Sequence, residues 1–291
     1  MAVYSLENAQ ISICVDTSGA ELKSLKKKAT DTEYMWDAKP EYWKRTSPVL
    51  FPIVGSLNNG SYQYDGKEYP MSQHGFARDM EFELRDQTAD SLKFVLRATG
   101  ETKAKYPFDF ELELGYRLSE NNLVVSWKVT NRDEKEMYFS IGGHPAFLCP
   151  IGGDGVQTDY KLLFDVDDKI TAAIIGDGGT LSARTKEYAL KNGMMDITAD
   201  LFDEDALIIE NNQAHKVSLC GRDGQPYLTV SFDAPLFGLW SPAKKNAPFV
   251  CIEPWYGRCD RETFDGDLSE REYGNRLAPS AEFYAEYTIT V

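Results

Sequence analysis

Glu282-Phe-Tyr-Ala-Glu-Tyr-Thr-Ile-Thr-Val291 alternates with period two. Phe283, Ala285, Tyr287, Ile289 and Val291 share one face, and Glu282, Tyr284, Glu286 and Thr288 share the other. Successive side chains of an extended chain point to opposite sides, so this pattern predicts a strand with one face against a core. The same alternation places Phe110, Leu112, Leu114 and Tyr116 on one face. Further strands are expected over 10–15, 91–97, 122–130, 160–166, 206–210, 216–220, 227–232 and 249–253. Asn59-Gly60, Asp65-Gly66, Asn192-Gly193 and Asp223-Gly224 supply turns, and Asp223-Gly224 between two alternating runs predicts a hairpin. Helical signals are sparse: 182–191 reads as a helix with Ser182 near its cap, and 267–272 as a single turn. No long helices alternate with the strands, which disfavours a parallel α/β sheet. The expectation is an all-β chain, mostly antiparallel, folded as one sandwich-like domain over residues 1–291 with few short helices.

Composition narrows the partners. The net charge is −15, with no basic run beyond Lys26-Lys27-Lys28. Such a chain repels nucleic acid and anionic membranes and suits a soluble cytoplasmic protein acting on a small molecule. The first residues have no basic head and no apolar run of signal-peptide length, and no segment reaches the roughly 20 apolar residues that span a bilayer. The five cysteines are odd in number, widely spaced and without a C-x-x-C pair, which favours reduced thiols. Cys149, five residues after His144, is a candidate reactive thiol, against the commoner burial of free cysteine.

Chemistry concentrates elsewhere. Ser140-Ile-Gly-Gly-His-Pro-Ala-Phe147 presents one of only three histidines on a backbone of low local bulk. Glycine relieves steric limits and proline biases the residue before it to extended conformations, so His144 is the first candidate acid or base. Glycines 142 and 143 would let a ligand come close. His74, His144 and His215 stand far apart in sequence with no zinc spacing, and Asp165-Val-Asp-Asp168 lacks the glycine and glutamate of a calcium loop, so no metal is expected. Nucleotide fingerprints and a G-x-S-x-G elbow are also missing. What remains is polar residues planted in apolar segments. Arg45 precedes Ser47-Pro-Val-Leu-Phe-Pro-Ile-Val-Gly55, and Gln73-His74-Gly-Phe-Ala-Arg78 follows a hairpin-like stretch. Asp205 precedes Ala-Leu-Ile-Ile209, and Glu253 ends Pro248-Phe-Val-Cys-Ile-Glu before Pro254-Trp255-Tyr256. A carboxylate so placed is expected to be buried, which calls for a partner or a function. His215, in a plain strand, reads as structural.

Taken in order, Leu50-Phe-Pro-Ile-Val-Gly55 with Arg45, Gln73-His-Gly-Phe-Ala-Arg78, Gly142-Gly-His-Pro-Ala-Phe147, Asp205-Ala-Leu-Ile208 and Cys251-Ile-Glu-Pro254 resemble the aldose 1-epimerase (galactose mutarotase) superfamily. They look most like its LacX-type and hexose-6-phosphate-mutarotase-like branch. The resemblance implies the galactose mutarotase-like β-supersandwich and an isomerase that interconverts the α and β anomers of a hexose or hexose 6-phosphate. It implies that His144 is the general acid on the ring oxygen and Glu253 the general base on the anomeric hydroxyl. By the same resemblance, Arg45, His74, Arg78 and Asp205 bind sugar hydroxyls or a phosphate; Arg45 is the loosest match. No cofactor or metal is implied. The chemistry suits these residue types: a base takes the O1 proton while an acid protonates O5, the C1–O5 bond breaks, and reclosure after rotation gives the other anomer. Acid and base are expected on opposite sides of one pyranose. Trp240, Trp255 and Phe147 are candidates to pack on its C–H face, against plain core packing. A non-catalytic carbohydrate-binding protein on the same scaffold is the competing reading. A glycosidase ranks lower, because Glu253 has no second acid in a comparable motif.

Overall fold

The computed structural model describes residues 2–291. Two large antiparallel sheets dominate. One has nine strands in the order Met194–Asp196, Lys161–Phe164, Lys216–Cys220, Pro226–Phe232, Glu282–Thr290, Asn122–Asn131, Phe110–Ser119, Ser91–Arg97 and Glu83–Gln87. The other runs Leu181–Ala189, Lys169–Ile175, Leu207–Ile209, Leu236–Trp240, Phe249–Tyr256, Ile141–Gly143 and Val49–Leu50, with Ala146–Leu148 paired to Phe249–Tyr256 off this path. A four-stranded sheet from Val3 to Glu33 and two hairpin-sized pairs complete the set.

The alternation read from the sequence decides what each sheet buries. Leu114, Trp127 and Ala285 lie in register across three adjacent strands, as do Tyr116, Val125 and Tyr287. These residues join one apolar cluster with Phe147, Val250, Ile252, Phe237 and Leu239 from the other sheet. Fully burying a large apolar side chain contributes about 1.5–3 kcal/mol, so this shared layer is what holds the two sheets together.

The smaller sheet is apolar on both faces. Its second face carries two separate clusters, one around Leu50, Ile208, Leu236 and Trp255 and one around Trp36, Phe249 and Cys251. The strand Phe249–Tyr256 shows how: Val250 and Ile252 enter the main core, while Phe249, Cys251, Glu253 and Trp255 project from the opposite face. That second face carries the cavity described below.

Two expectations need correction. Residues 182–191 do not form a helix; Leu181–Ala189 is an edge strand paired with Lys169–Ile175. Its run Arg184-Thr-Lys-Glu187 is exposed, so it has neither helical nor alternating apolar spacing, and the ladder to its neighbour decides the conformation. Charge on an exposed edge also discourages pairing with other chains. Cys149 is no reactive thiol: it is fully buried, and burial pushes its thiol up to about 12. The single turn expected over 267–272 is present as Leu268–Glu270, capped by the Asp267 carboxylate accepting from Ser269 N–H. All five cysteines are free thiols, and no helix among the described residues is long and apolar enough to cross a membrane.

Candidate active site

A cavity of about 720 Å³ opens on the second face of the smaller sheet. Its lining includes His74, Arg78, His144, Asp205, Glu253, Trp240 and Trp255. Strand parity explains the floor. Gly142 and His144 are two residues apart on an extended segment, and Glu253 is two residues before Trp255, so each pair shares a face. Gly142 is paired with Trp255, which brings the two segments side by side.

His144 Nε2 lies 3.3 Å from Glu253 Oε2. The two residues expected as acid and base are therefore neighbours, not on opposite sides of a ring. O1 and O5 are both bonded to the same anomeric carbon, so adjacent groups can serve them. Glu253 is only 1% exposed, and neither of its oxygens has a hydrogen-bond partner. Burial pushes its carboxyl well above the usual carboxylate range, and the Asp205 charge pushes the same way. The Trp255 indole N–H pulls weakly in the other direction; it is close enough to favour the anion but is not aligned as a hydrogen bond.

His144 is fixed by aromatic packing. Trp43 stacks on its ring at 4.7 Å between centroids, and Trp240 meets it edge-on at 5.4 Å. Its backbone N–H donates to Pro48 O at 3.1 Å. Burial lowers its pKa to about 3, helped by the Arg78 and, less, the Arg45 cations. Burial thus favours the neutral form of each group, the protonated carboxyl of Glu253 and the unprotonated ring of His144.

His74 sits at the end of a strained turn, with φ 66. Gly75 follows at φ +69, where a Cβ would stand 2.2 Å from Phe51 O, so only glycine fits. Gly55 N–H donates to His74 Nδ1 at 3.1 Å, which makes Nδ1 the acceptor and leaves the neutral ring's proton on Nε2. Burial, His144 and Arg78 hold the His74 pKa well below the ordinary value. The ring is thus a fixed neutral donor. Arg78 anchors one end of its guanidinium on Gln73 O at 2.7 Å, while its buried Nε makes no hydrogen bond and lies 3.9 Å from Asp79 Oδ2.

The remaining expected residues divide. Asp205 lines the cavity from an exposed turn with φ 72, its carboxylate accepting from Ala206 N–H at 2.8 Å. Arg45 is not among the lining residues: it donates to Asp79 Oδ1 at 2.5 Å and to Arg78 O at 3.4 Å, one layer behind the wall. His215 is remote from the cavity, its ring beside Phe232 O. Phe147 belongs to the main core, not the wall.

The two glycines also play a different part. A Cβ on Gly142 would meet Trp255 Cδ1 at 2.5 Å, and one on Gly143 would meet Tyr287 Oη at 3.1 Å. They make room for an indole and for core packing, so the expected open approach to His144 is not what they provide. Sequence reading missed Tyr42, Trp43 and Lys245 on the wall. Trp43 sits two residues before Arg45, so an aromatic beside a candidate cation was the available signal. Lys245 donates to Glu41 O and Tyr42 O, tying the two mouth loops together, a tertiary contact without sequence pattern.

Comparison with known proteins agrees with this geometry. The family described as aldose 1-epimerase matches residues 2–267. The plasmid-borne protein LacX of Lactococcus lactis subsp. lactis is 32% identical over 295 residues, covering 98% of each chain. A galactose mutarotase related enzyme from Lactobacillus acidophilus superposes with TM-score 0.93 at 38% identity, covering 99% of this chain and 97% of that one. A galactose mutarotase-like protein from Lactobacillus casei superposes with TM-score 0.92 at 31% identity, covering 99% of each.

Proposed function

Because the chain belongs to the aldose 1-epimerase family, whose members are isomerases of sugars, we propose that it interconverts the α and β anomers of a hexose by proton transfer between the sugar and the His144–Glu253 pair. The 3.3 Å contact between these two buried groups at the cavity floor carries this reading. The reactive form has His144 as imidazolium and Glu253 as carboxylate. It differs from the neutral pair by movement of one proton across that contact, so no outside proton is needed. Glu253 then removes the O1 proton while His144 protonates O5, the C1–O5 bond breaks, and the aldehyde rotates. As the ring closes on the other face, Glu253 returns its proton to O1 and His144 takes back the proton on O5. Each transfer is worth typically about 10²–10⁴-fold. His74 donates from Nε2, Arg78 from its free N–H groups and Asp205 accepts, orienting the hydroxyls; Arg45 acts behind Arg78 by holding its loop. The reaction is confined to a reducing cytoplasm, which suits the free thiols, and to one folded unit built on a continuous core.

An uncharged hexose is favoured by the charge of the wall. Arg184 is paired with Glu204 and Arg45 with Asp79, while Asp177, Asp203 and Asp205 add negative charge around the mouth. Arg78, whose buried Nε makes no hydrogen bond, is the observation that favours a hexose 6-phosphate as the second reading. Polarimetry of freshly dissolved α-glucose, α-galactose and their 6-phosphates tests both. Anomer exchange faster than buffer for the free sugars is expected. Exchange for the phosphates alone selects the second reading, and binding without any exchange would leave a carbohydrate-binding protein.

A further inference from the structure

His144, Cys251 and Glu253 bring one nitrogen, one sulfur and one carboxylate oxygen within 4.8 Å of one another, all from buried residues. We propose that these three side chains form a site for a thiophilic divalent cation, zinc or cadmium, whose binding occupies the acid–base pair and stops turnover. Cys251 and Glu253 are two apart on the strand Phe249–Tyr256 and project from one face, toward His144. The 3.3 Å between His144 Nε2 and Glu253 Oε2 already matches the separation of two ligands on a tetrahedral zinc, about 3.3–3.4 Å for bonds of about 2.0–2.1 Å. The Cys251 sulfur, within 4.8 Å of both, supplies the third ligand, at a bond of about 2.3 Å. A fourth position faces the cavity, because His144 and Glu253 both line it.

Two further features favour a cation there. Both Glu253 oxygens are buried without partners, and a metal would satisfy them. Thiolate and carboxylate together carry the charge that cancels a divalent ion, so the occupied floor is neutral. The charged and titratable groups facing the site are His74, Arg78 and Arg45 on one side and Asp205 on the other. The two arginines oppose the cation, which the two anionic ligands must offset.

Cadmium titration of the wild-type chain tests the site, read by the ultraviolet thiolate-to-cadmium charge-transfer band. One ion per chain is expected, with anomer exchange lost in step and then restored by a chelator. Cys251→Ser should lose the band, whereas Cys259→Ser and Cys14→Ser should keep it; Cys259 is the thiol that lines the cavity itself. His144→Asn should weaken cadmium binding by at least about 10-fold, and serves if the cysteine variant does not fold. No band at stoichiometric cadmium, or a band that survives in Cys251→Ser, overturns the proposal. Because the band and stoichiometry are read without a sugar, they stand or fall apart from the epimerase reading.

Discussion

At the residue scale, Glu253 and His144 are pushed in opposite directions by the same burial. Burial disfavours whichever form is charged, so the carboxyl keeps its proton and the imidazole stays without one. This has a stability consequence of definite sign. An unfolded chain has Glu253 near its ordinary pKa of about 4.3. The native state holds the proton at higher pH, so the stability Glu253 contributes is full below that value and is lost as pH rises toward its raised native pKa. Glu253→Gln keeps the shape and cannot ionise. Its melting temperature, measured from pH 4 to 8 (a range set around the values above), should match wild type at the acid end and exceed it increasingly toward the alkaline end. A constant difference across the range contradicts a desolvated carboxyl. The rate has its own signature. The pair works while it holds one proton, and it gains a second only far below the ordinary histidine pKa of about 6.5. Anomer exchange should therefore show no loss with falling pH centred on that value. A single ionisation at the ordinary histidine value would place the acid outside this pair.

At the element scale, the strand Phe249–Tyr256 does the positioning, and Trp255 keeps it in place. Gly142 on one neighbouring strand and Gly238 on the other leave flat ground for the indole; a Cβ on Gly238 would stand 2.6 Å from Trp255 Cη2. Gly238→Ala should cost about 1–3 kcal/mol in denaturant unfolding, the usual range for overpacking. It should also slow exchange, because the indole can yield only by shifting the strand that carries Glu253. Wild-type stability in that variant would show that the ring has slack. Half-buried strands were legible because each buries alternate residues: Ile11–Asp16 and Pro226–Phe232 fall where alternation puts them. Leu181–Ala189 was not, since an exposed charged edge carries no periodic signal and owes its form to Lys169–Ile175.

At the scale of the whole molecule, Glu282–Thr290 lies between Asn122–Asn131 and Pro226–Phe232, joining the two halves of the nine-stranded sheet. Its alternation was sufficient to read the architecture, because a half-buried antiparallel strand leaves that pattern in any chain. The site was legible only in part. His74, Arg78, His144, Asp205 and Glu253 converge on one cavity as the motif order implied, but Arg45 stops at Asp79 and Trp43 enters from a loop. The contact that matters most, between residues 144 and 253, depends on strand neighbours far apart in sequence and has no local trace. Magnetisation-exchange NMR on galactose with wild type and Glu253→Gln at neutral pH tests that contact's role most directly. The account predicts exchange between the two anomeric proton signals well above the uncatalysed rate for wild type, and none above it for the folded variant. Equal exchange in both would contradict it.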